Sequence, residues 1–562
     1  MENENNEPKT LNEFLDWVVE NYKDNPALGK ALEKPMTYGD MKEKVLKVAD
    51  MLMAKDVLKG DKIALLGENS PNWGISYFAI VRIGAIAVPI LPDFPEADIR
   101  HILLNSEAKI LFTTQKQLEK IGDLENSKLK CIITLDDFKT ENQALHIEPI
   151  SAIIEKAIDF IKKIPETIGL KHREIHEDDV ASIIYTSGTS GHSKAVMLNH
   201  KNLVTNALAC GQLAPIQPDW AFLSILPLAH TYEFTVGFLL MLLKGCKIVY
   251  LGKAPTPTIL EQVCKVEKPG GIIAVPLILE KIYKKKVLTV LEKNTLVKVI
   301  TKIPGIKKKI FKKIGKKLID FFGGQLNIMA IGGAPFNKEA EKFFKEAGFP
   351  YLMGYGLTES APLLAGGPFK DKTLKISSVG KVTPGCEIKI VDPEEKTGIG
   401  EIYGRGPNIM KGYYRNPELT KEVIDEEGWL KTGDLGRFDK HGNLYITGRS
   451  KNMILRADGE NIYPEPIEEK LNTSIYVSES IVIDNNNRLE AWVYLDYDLI
   501  DQETIGKSEK QRLDYIRHLL ETLKDEVNAQ LPAFSKISRM IEQEEPFTKT
   551  VTHKIKRYLY SH

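Results

Sequence analysis

The sequence predicts an α/β protein of more than one domain, and three observations predict it. Its 562 residues exceed what one hydrophobic core supports. Helix-spaced and strand-like apolar runs alternate from Thr10 to about Leu363, the pattern of parallel sheets joined by helices. Two changes of character follow. Residues 374–439 hold short β-rich runs spaced by Gly and Pro, which suits a small β-barrel subdomain. A new α/β pattern starts after Gly448 and has the size of a small independent domain.

In chain order, residues 11–22 and 41–54 carry apolar side chains at helical spacing. Residues 62–66 and 109–113 are short apolar strands, and 96–106 between them reads as a helix. The apolar run 181–184 is a strand that opens into a polar, glycine-rich loop. Runs 387–391 and 400–403 are strands of the β-rich part. Beyond it, Tyr463-Pro464 turns the chain into a helix over 465–472. Strands over 478–483 and 489–495 and a helix over 509–530 follow. The domain boundary falls at residues 449–451.

Composition excludes several classes. Hydrophobic content of 43% and charged content of 27% are those of a globular protein. Seventy-six basic residues balance 76 acidic ones, so the chain lacks the basic excess of a nucleic-acid binder. Five scattered cysteines, with no CxxC pair, argue for a reducing compartment without a disulfide frame or zinc site. The longest apolar runs, 234–243 and a pair near 75–91 broken by Arg82, fall short of the ~20 residues that span a bilayer. The first seven residues are acidic and polar and lack the apolar core of a secretory signal. The expectation is a cytoplasmic protein.

One segment departs from the neutral whole. Residues 281–317 hold fourteen lysines and a single acid, Glu292. Its end, 306–322, has helical periodicity. Ile306, Ile310, Ile314 and Leu318 form a stripe flanked by Phe311 and Phe322, and lysines fill the other face. Such a helix either packs its stripe on the protein's own core or lies on an anionic membrane.

The chemistry concentrates in Tyr185-Thr186-Ser187-Gly188-Thr189-Ser190-Gly191-His192-Ser193-Lys194. Glycines allow close backbone approach to an anion. Hydroxyls and N–H groups donate to phosphate oxygens, and a lysine adds charge. The loop is not a Walker A sequence, because Lys194 follows Gly191 by three and precedes Ala195. It is a phosphate loop of another kind.

This loop resembles the signature of the adenylate-forming (AMP-binding) superfamily, which includes acyl-CoA synthetases, peptide-synthetase adenylation domains and luciferases. Further motifs match in order: Leu226-Pro227-Leu228-Ala229-His230, Gly332-Gly333-Ala334-Pro335, Gly354-Tyr355-Gly356-Leu357-Thr358-Glu359, Gly412-Tyr413-Tyr414, Thr432-Gly433-Asp434, Gly448-Arg449-Ser450-Lys451, and the segment from Lys549 through Lys554 to Arg557. The match runs from about residue 10 to the end. Glu233, Val275-Pro276 with Glu280-Lys281-Ile282-Tyr283, and Gly459-Glu460-Asn461-Ile462-Tyr463-Pro464 are similar to long-chain fatty-acid–CoA ligases. The resemblance implies a large N-terminal adenylation domain, 1–448, of two α/β subdomains plus the β-barrel. A small mobile C-terminal α+β domain, 449–562, would follow.

The resemblance also implies roles. Thr186, Ser187, Gly188, Thr189, Gly191 and Lys194 would hold the β- and γ-phosphates of ATP. Glu359 would bind Mg²⁺, which favours one carboxylate with phosphate oxygens and water. Thr358 would donate to the α-phosphate. Gly333, Ala334, Tyr355 and Gly356 would border adenine, and Asp434 would accept the two ribose hydroxyls. Arg449 would reach ribose or phosphate, His230 would stand at the mouth of the acyl site, and Lys554 would neutralise charge as the carboxylate attacks phosphorus. Lys451 would be the hinge. Three positions depart from the family pattern: Ser193 replaces a proline, and Ala195 and His553 replace glycines.

The implied reaction is a two-step ligation. A fatty acid and Mg·ATP give acyl-adenylate and pyrophosphate, then the CoA thiol takes the acyl group and AMP leaves. One rival keeps the adenylation and uses a carrier-protein thiol. Another is a catalytically silent nucleotide-binding scaffold. Acyl chain length and oligomeric state, a homodimer included, stay open.

Overall fold

The computed structural model describes residues 7–121, 127–136, 147–149, 174–186, 193–253, 255–288, 304–455, 461–486, 488–550 and 554–560. Ser187, Gly188, Thr189, Gly191 and His553 lie outside the described residues.

Two large sheets organise the chain up to Val382. In the first, strands 180–186, 86–90, 62–66, 110–113, 131–134 and 147–149 run parallel, and 194–199 and 412–413 add antiparallel at one edge. In the second, strands 351–356, 328–331, 271–274, 221–224, 247–250 and 26–30 run parallel. Antiparallel strands 363–366 and 381–382 extend one edge and 36–37 the other. The helix Pro71–Arg82 explains how two sheets share a core. Its residues from Trp73 to Val81 are all buried, so it carries no polar face and must sit between apolar layers. Ser70 caps it and Pro71 occupies its first turn. Trp73 stacks on Tyr77 at 5.8 Å between centroids, and Tyr77 meets Phe234 at 4.3 Å. One hydrophobic cluster accordingly contains both Ile63 of the first sheet and Ile248 of the second.

The helix Leu11–Tyr22 shows why local sequence sufficed for many elements. Thr10 and Glu13 form a reciprocal capping box, and Leu11, Phe14, Leu15, Val18 and Val19 bury one face. The β-rich part is a four-stranded antiparallel sheet of Glu387–Val391, Gly400–Arg405, Leu430–Phe438 and Leu444–Arg449, in that spatial order. It runs on past 439 to Arg449, so the expected boundary at 449–451 falls where this sheet ends and a 3₁₀ turn, Ser450–Asn452, begins.

The basic helix spans Pro304–Phe321. Its apolar stripe belongs to the protein's own core: Phe311, Leu318 and Phe322 are buried, and Ile310 and Ile314 pack beside them. Gly315 permits this approach, because a Cβ there would stand 2.3 Å from the Ala347 carbonyl oxygen. From Ile310 onward the stripe is therefore not available to enter a membrane, while Ile306 at its start is exposed.

The C-terminal residues form their own sheet. Strands Val477–Asn485 and Arg488–Leu495 make a hairpin, and Arg539–Gln543 pairs parallel to the second. Helices Pro464–Asn472 and Glu509–Asn528 cover it, with Ile467, Leu471, Ile516 and Leu523 in a separate cluster. Contacts with the preceding part include several polar ones. Lys284 Nζ donates to the Val477 carbonyl at 3.0 Å, and Asn337 Nδ2 to Thr473 Oγ1 at 3.0 Å. The Lys338 N–H donates to Glu469 at 2.8 Å, and the Tyr463 hydroxyl to Glu394 at 2.6 Å.

Candidate active site

The site gathers where both large sheets, the β subdomain and the C-terminal segment meet. Strand Tyr351–Gly356 enters it and turns sharply. The Leu357 N–H returns to the Pro362 carbonyl at 3.0 Å. A Cβ on Gly356 would lie 1.9 Å from that same oxygen, so the turn requires glycine. The 3₁₀ turn Thr358–Ser360 then presents Glu359. Asn408 Nδ2 ties the turn down by donating to the Ser360 carbonyl at 2.7 Å, and the Met410 N–H donates to the Glu359 carbonyl at 2.9 Å.

Glu359 Oε1 accepts from the Tyr413 hydroxyl at 2.9 Å. Lys194 Nζ lies 5.1 Å from the centroid of the Tyr413 ring. The sheet brings the last two together: Thr186 pairs with Lys194 across the antiparallel strands, and Tyr413 pairs with Val196 on the next. Burial lowers the Lys194 pKa, and the Glu359 carboxylate pulls the other way. Tyr413 received no role from sequence reasoning, although Gly412-Tyr413-Tyr414 stood out as a motif. Its function depends on a partner 54 positions away in sequence.

A second constellation surrounds Asp434, which is buried. Its Oδ2 accepts from the Tyr355 hydroxyl at 2.7 Å, and its Oδ1 meets Arg449 Nε at 2.7 Å. Asp434 and Arg449 are cross-strand partners, so the strand pairing itself sets this ion pair. Arg449 also donates to the Thr432 carbonyl at 3.2 Å. Burial raises the Asp434 carboxyl pKa, while Arg449 and Tyr355 favour the ionised form. Gly333 and Ala334 are exposed just past strand 328–331, and Gly333 adopts φ +87°.

His230 accepts a hydrogen bond at Nδ1 from the Tyr232 N–H at 3.2 Å, so a neutral imidazole carries its proton on Nε2. Burial pushes its pKa down to about 4, and the Lys554 charge adds to that. A buried network fixes the loop before it. Asn69 Nδ2 donates to Ser224 Oγ at 2.9 Å and to the Leu226 carbonyl at 2.6 Å, while Asn69 Oδ1 accepts from the Leu228 N–H at 2.8 Å. Ser224 in turn donates to Glu233 Oε1 at 2.5 Å. Sequence reasoning missed Asn69 altogether; a lone Asn before Ser70-Pro71 reads as a helix cap.

Burial raises the Glu233 pKa to about 8, so it is mostly protonated at neutral pH. Its folded pKa lies above the unfolded value. The stabilisation it allows is therefore complete below about pH 4.5 and declines as pH rises toward 8. The expected slope approaches 1.4 kcal/mol per pH unit in that window, one proton's worth. Glu233→Gln, neutral at every pH, should flatten this part of the stability profile measured by chemical denaturation. An unchanged slope in the variant would show that Glu233 is already ionised.

Lys554 is exposed by surface area, yet protein crowds its ammonium group. That crowding and Arg449 lower its ammonium pKa, while Asp434 and Glu359 raise it. Its N–H donates to Thr550 Oγ1 at 3.2 Å, and its carbonyl accepts from the Thr550 N–H at 2.7 Å. Charge interactions thus link Lys194 to Glu359 and Arg449, and Lys554 to Glu359, Asp434, Arg449 and His230, beside the turn 357–360. Lys451 is exposed one turn away.

A model of the family described as AMP-binding enzyme matches residues 15–414. The chain belongs to that family. It is therefore an adenylate-forming ligase, which uses ATP to activate an acid. Fatty acyl-CoA synthetase A of Dictyostelium discoideum is 26% identical to it, across 89% of this chain and 80% of that one. A chloroplastic long-chain-fatty-acid–[acyl-carrier-protein] ligase of Arabidopsis thaliana is 28% identical, across 96% and 83%. The 4-coumarate–CoA ligase CCL1 of Humulus lupulus is 30% identical, across 83% and 80%. In fold, the chain matches the crystal structure of an anthranilate CoA ligase with bound anthranoyl-AMP. The TM-score is 0.78 at 20% identity, covering 98% and 96% of the two chains.

Among the described residues no three His, Cys, Asp or Glu side chains cluster as a metal cage. Mg²⁺ takes one or two carboxylates and fills its octahedron with phosphate oxygens and water. Glu359, with one oxygen engaged by Tyr413, has the donor such an ion needs. Bound there, the ion would neutralise phosphate charge.

Proposed function

We propose that this ligase activates a fatty acid as its adenylate and passes the acyl group to CoA. The observation that carries the choice of acid is an apolar cavity of about 50 Å³ behind strand 351–356. Leu213, Phe222, Val236, Leu240, Ile273 and Leu363 are among its lining, and no charged or amide side chain faces it. Tyr232, two residues from His230, and Gly354, five before Glu359, border it. A hydrocarbon tail gains by burial there, whereas a ring hydroxyl or a second carboxylate would lose its water without a partner beyond the Tyr232 hydroxyl. The cavity is narrow, so a long chain enters by parting these side chains.

Within this reading, the loop from Thr186 through Ser187, Gly188, Thr189 and Gly191 to Lys194 holds the outer phosphates, and Thr358 donates to the α-phosphate. Asp434 binds ribose, Gly333, Ala334, Tyr355 and Gly356 border adenine, and Arg449 reaches the ribose or phosphate. Glu359 holds Mg²⁺. His230 stands at the acyl mouth and Lys554 meets the charge that develops as carboxylate oxygen bonds to phosphorus and pyrophosphate departs. The domain boundary lies at 448/449, and the small domain turns about Lys451 so that a thiol can replace Lys554. A carrier-protein thiol is the second reading, favoured by the likeness to the Arabidopsis ligase across 96% of this chain.

Pyrophosphate exchange across saturated fatty acids of graded length and hydroxycinnamates tests the acid. Exchange should appear with fatty acids and rise with chain length to an optimum. Preference for a hydroxycinnamate would overturn the reading. Thioester formation with CoA against holo-carrier protein separates the two acceptors.

A further inference from the structure

The helix Pro304–Phe321 spends its apolar stripe on the core, yet its other face is conspicuous. Lys308, Lys309, Lys312, Lys313, Lys316 and Lys317 are all exposed. Their spacing puts them in two adjacent lines along one face, roughly 14 Å long at about 1.5 Å per residue. Among the described residues none of the six forms an ion pair, whereas Lys307, at the edge of the strip, meets Glu346 at 2.8 Å. The strip stands in a chain whose charges, the strip included, cancel.

We propose that this lysine strip is a docking surface for an anionic lipid bilayer, one that rests on the headgroups without inserting. Three observations select that occupant. First, the six lysines stand on the convex outer face of one helix, which does not enclose a small anion. Second, residues 281–322 contain no arginine. Stereospecific recognition of carboxylate or phosphate favours the planar guanidinium fork, whereas lysine supplies a hydrated point charge suited to a diffuse charged layer. Third, Phe311, Leu318 and Phe322 anchor the helix in a packed core, with Phe311 and Phe343 edge to face at 4.9 Å. The strip is thus a rigid, elongated charge array, and its grip on a bilayer is electrostatic and salt-labile. The inference does not depend on which acid the enzyme activates.

Co-sedimentation with vesicles tests it, using the full chain. Phosphatidylcholine vesicles containing phosphatidylserine should bind the protein at low salt, and pure phosphatidylcholine vesicles should not. The triple variant Lys308→Glu, Lys312→Glu, Lys316→Glu should weaken binding by about a hundredfold or more. Its pyrophosphate exchange in solution should match the parent, which verifies its fold. A control with the same charge change at exposed positions elsewhere, Lys34→Glu, Lys440→Glu and Lys510→Glu, should still bind vesicles. No binding to anionic vesicles at low salt would overturn the proposal. So would equal losses in the two triple variants, or binding that persists at about 0.5 M salt, where screening reaches a few ångströms. Strip-dependent retention on an acidic carrier protein, without vesicle binding, would overturn it in favour of a protein partner.

Discussion

Lys554→Ala should lower adenylate formation by about two to three orders of magnitude, the size of effect seen when one preorganised charge-stabilising donor is removed. Thioester formation from supplied acyl-adenylate should stay near the parent rate. The asymmetry follows from geometry. Lys554 stands within reach of Glu359, Asp434 and Arg449, whose charges all act on its ammonium group. It is carried there by a segment with its own core, joined through the turn at Ser450–Asn452. On the proposed reading, Lys554 serves the first half-reaction in this orientation and must leave before a thiol reaches the adenylate. Lys556 offers the control. Its N–H donates to the Thr548 carbonyl at 2.9 Å, so it contributes chiefly backbone structure, and Lys556→Ala should leave both half-reactions close to normal. Pyrophosphate exchange and single-turnover thioester assays separate the two steps. Equal losses in both would refute the role given to Lys554.

Lys451→Pro should spare adenylation and reduce thioester formation by more than about tenfold, because rotation then fails. Proline fixes φ near −65°, and 3₁₀ turns use φ of about −50 to −70°, so the present orientation accommodates it. Reaching the other orientation needs a large backbone change at the hinge, which the ring forbids. Contacts flank this turn, where the proposed reading places the hinge. Ser450 Oγ donates to the Gly433 carbonyl at 3.2 Å, and Asn452 Nδ2 donates to Glu465 at 2.6 Å, while the Lys451 side chain between them is exposed. A variant that completes the whole cycle at the parent rate would move the hinge elsewhere.

Several site residues were legible in the sequence because their neighbours are local. The turn that presents Glu359 is written in Gly354-Tyr355-Gly356-Leu357-Thr358, where glycine meets a steric demand within six residues. The antiparallel pairing of Thr186 with Lys194 was not legible, because the sequence showed a loop there and not the returning strand 194–199. Nor were Tyr413 and Asn69. Tyr413 acts on Glu359 from across a sheet edge, and Asn69 holds a loop 157 positions away. Periodicity carries no information about which distant polar group a side chain will face.

The helix at Pro304–Phe321 marks the same division. Its sequence determined that a helix forms and that lysines and apolar residues part to opposite faces, since spacing of 3.6 residues is a local property. The strand at 62–66 and the helices at 11–22 and 96–106 were likewise set by periodicity, with a capping box at 11–22 alone of the three. Only the tertiary structure decided that Phe311 and Leu318 enter the protein's own core. Only it decided that Tyr355 and Arg449 converge on Asp434, and that Lys554 comes within reach of Glu359. Such contacts depend on sheet order and on how separately folded units dock. These are long-range choices, made by burial and charge among groups that no short window of sequence contains.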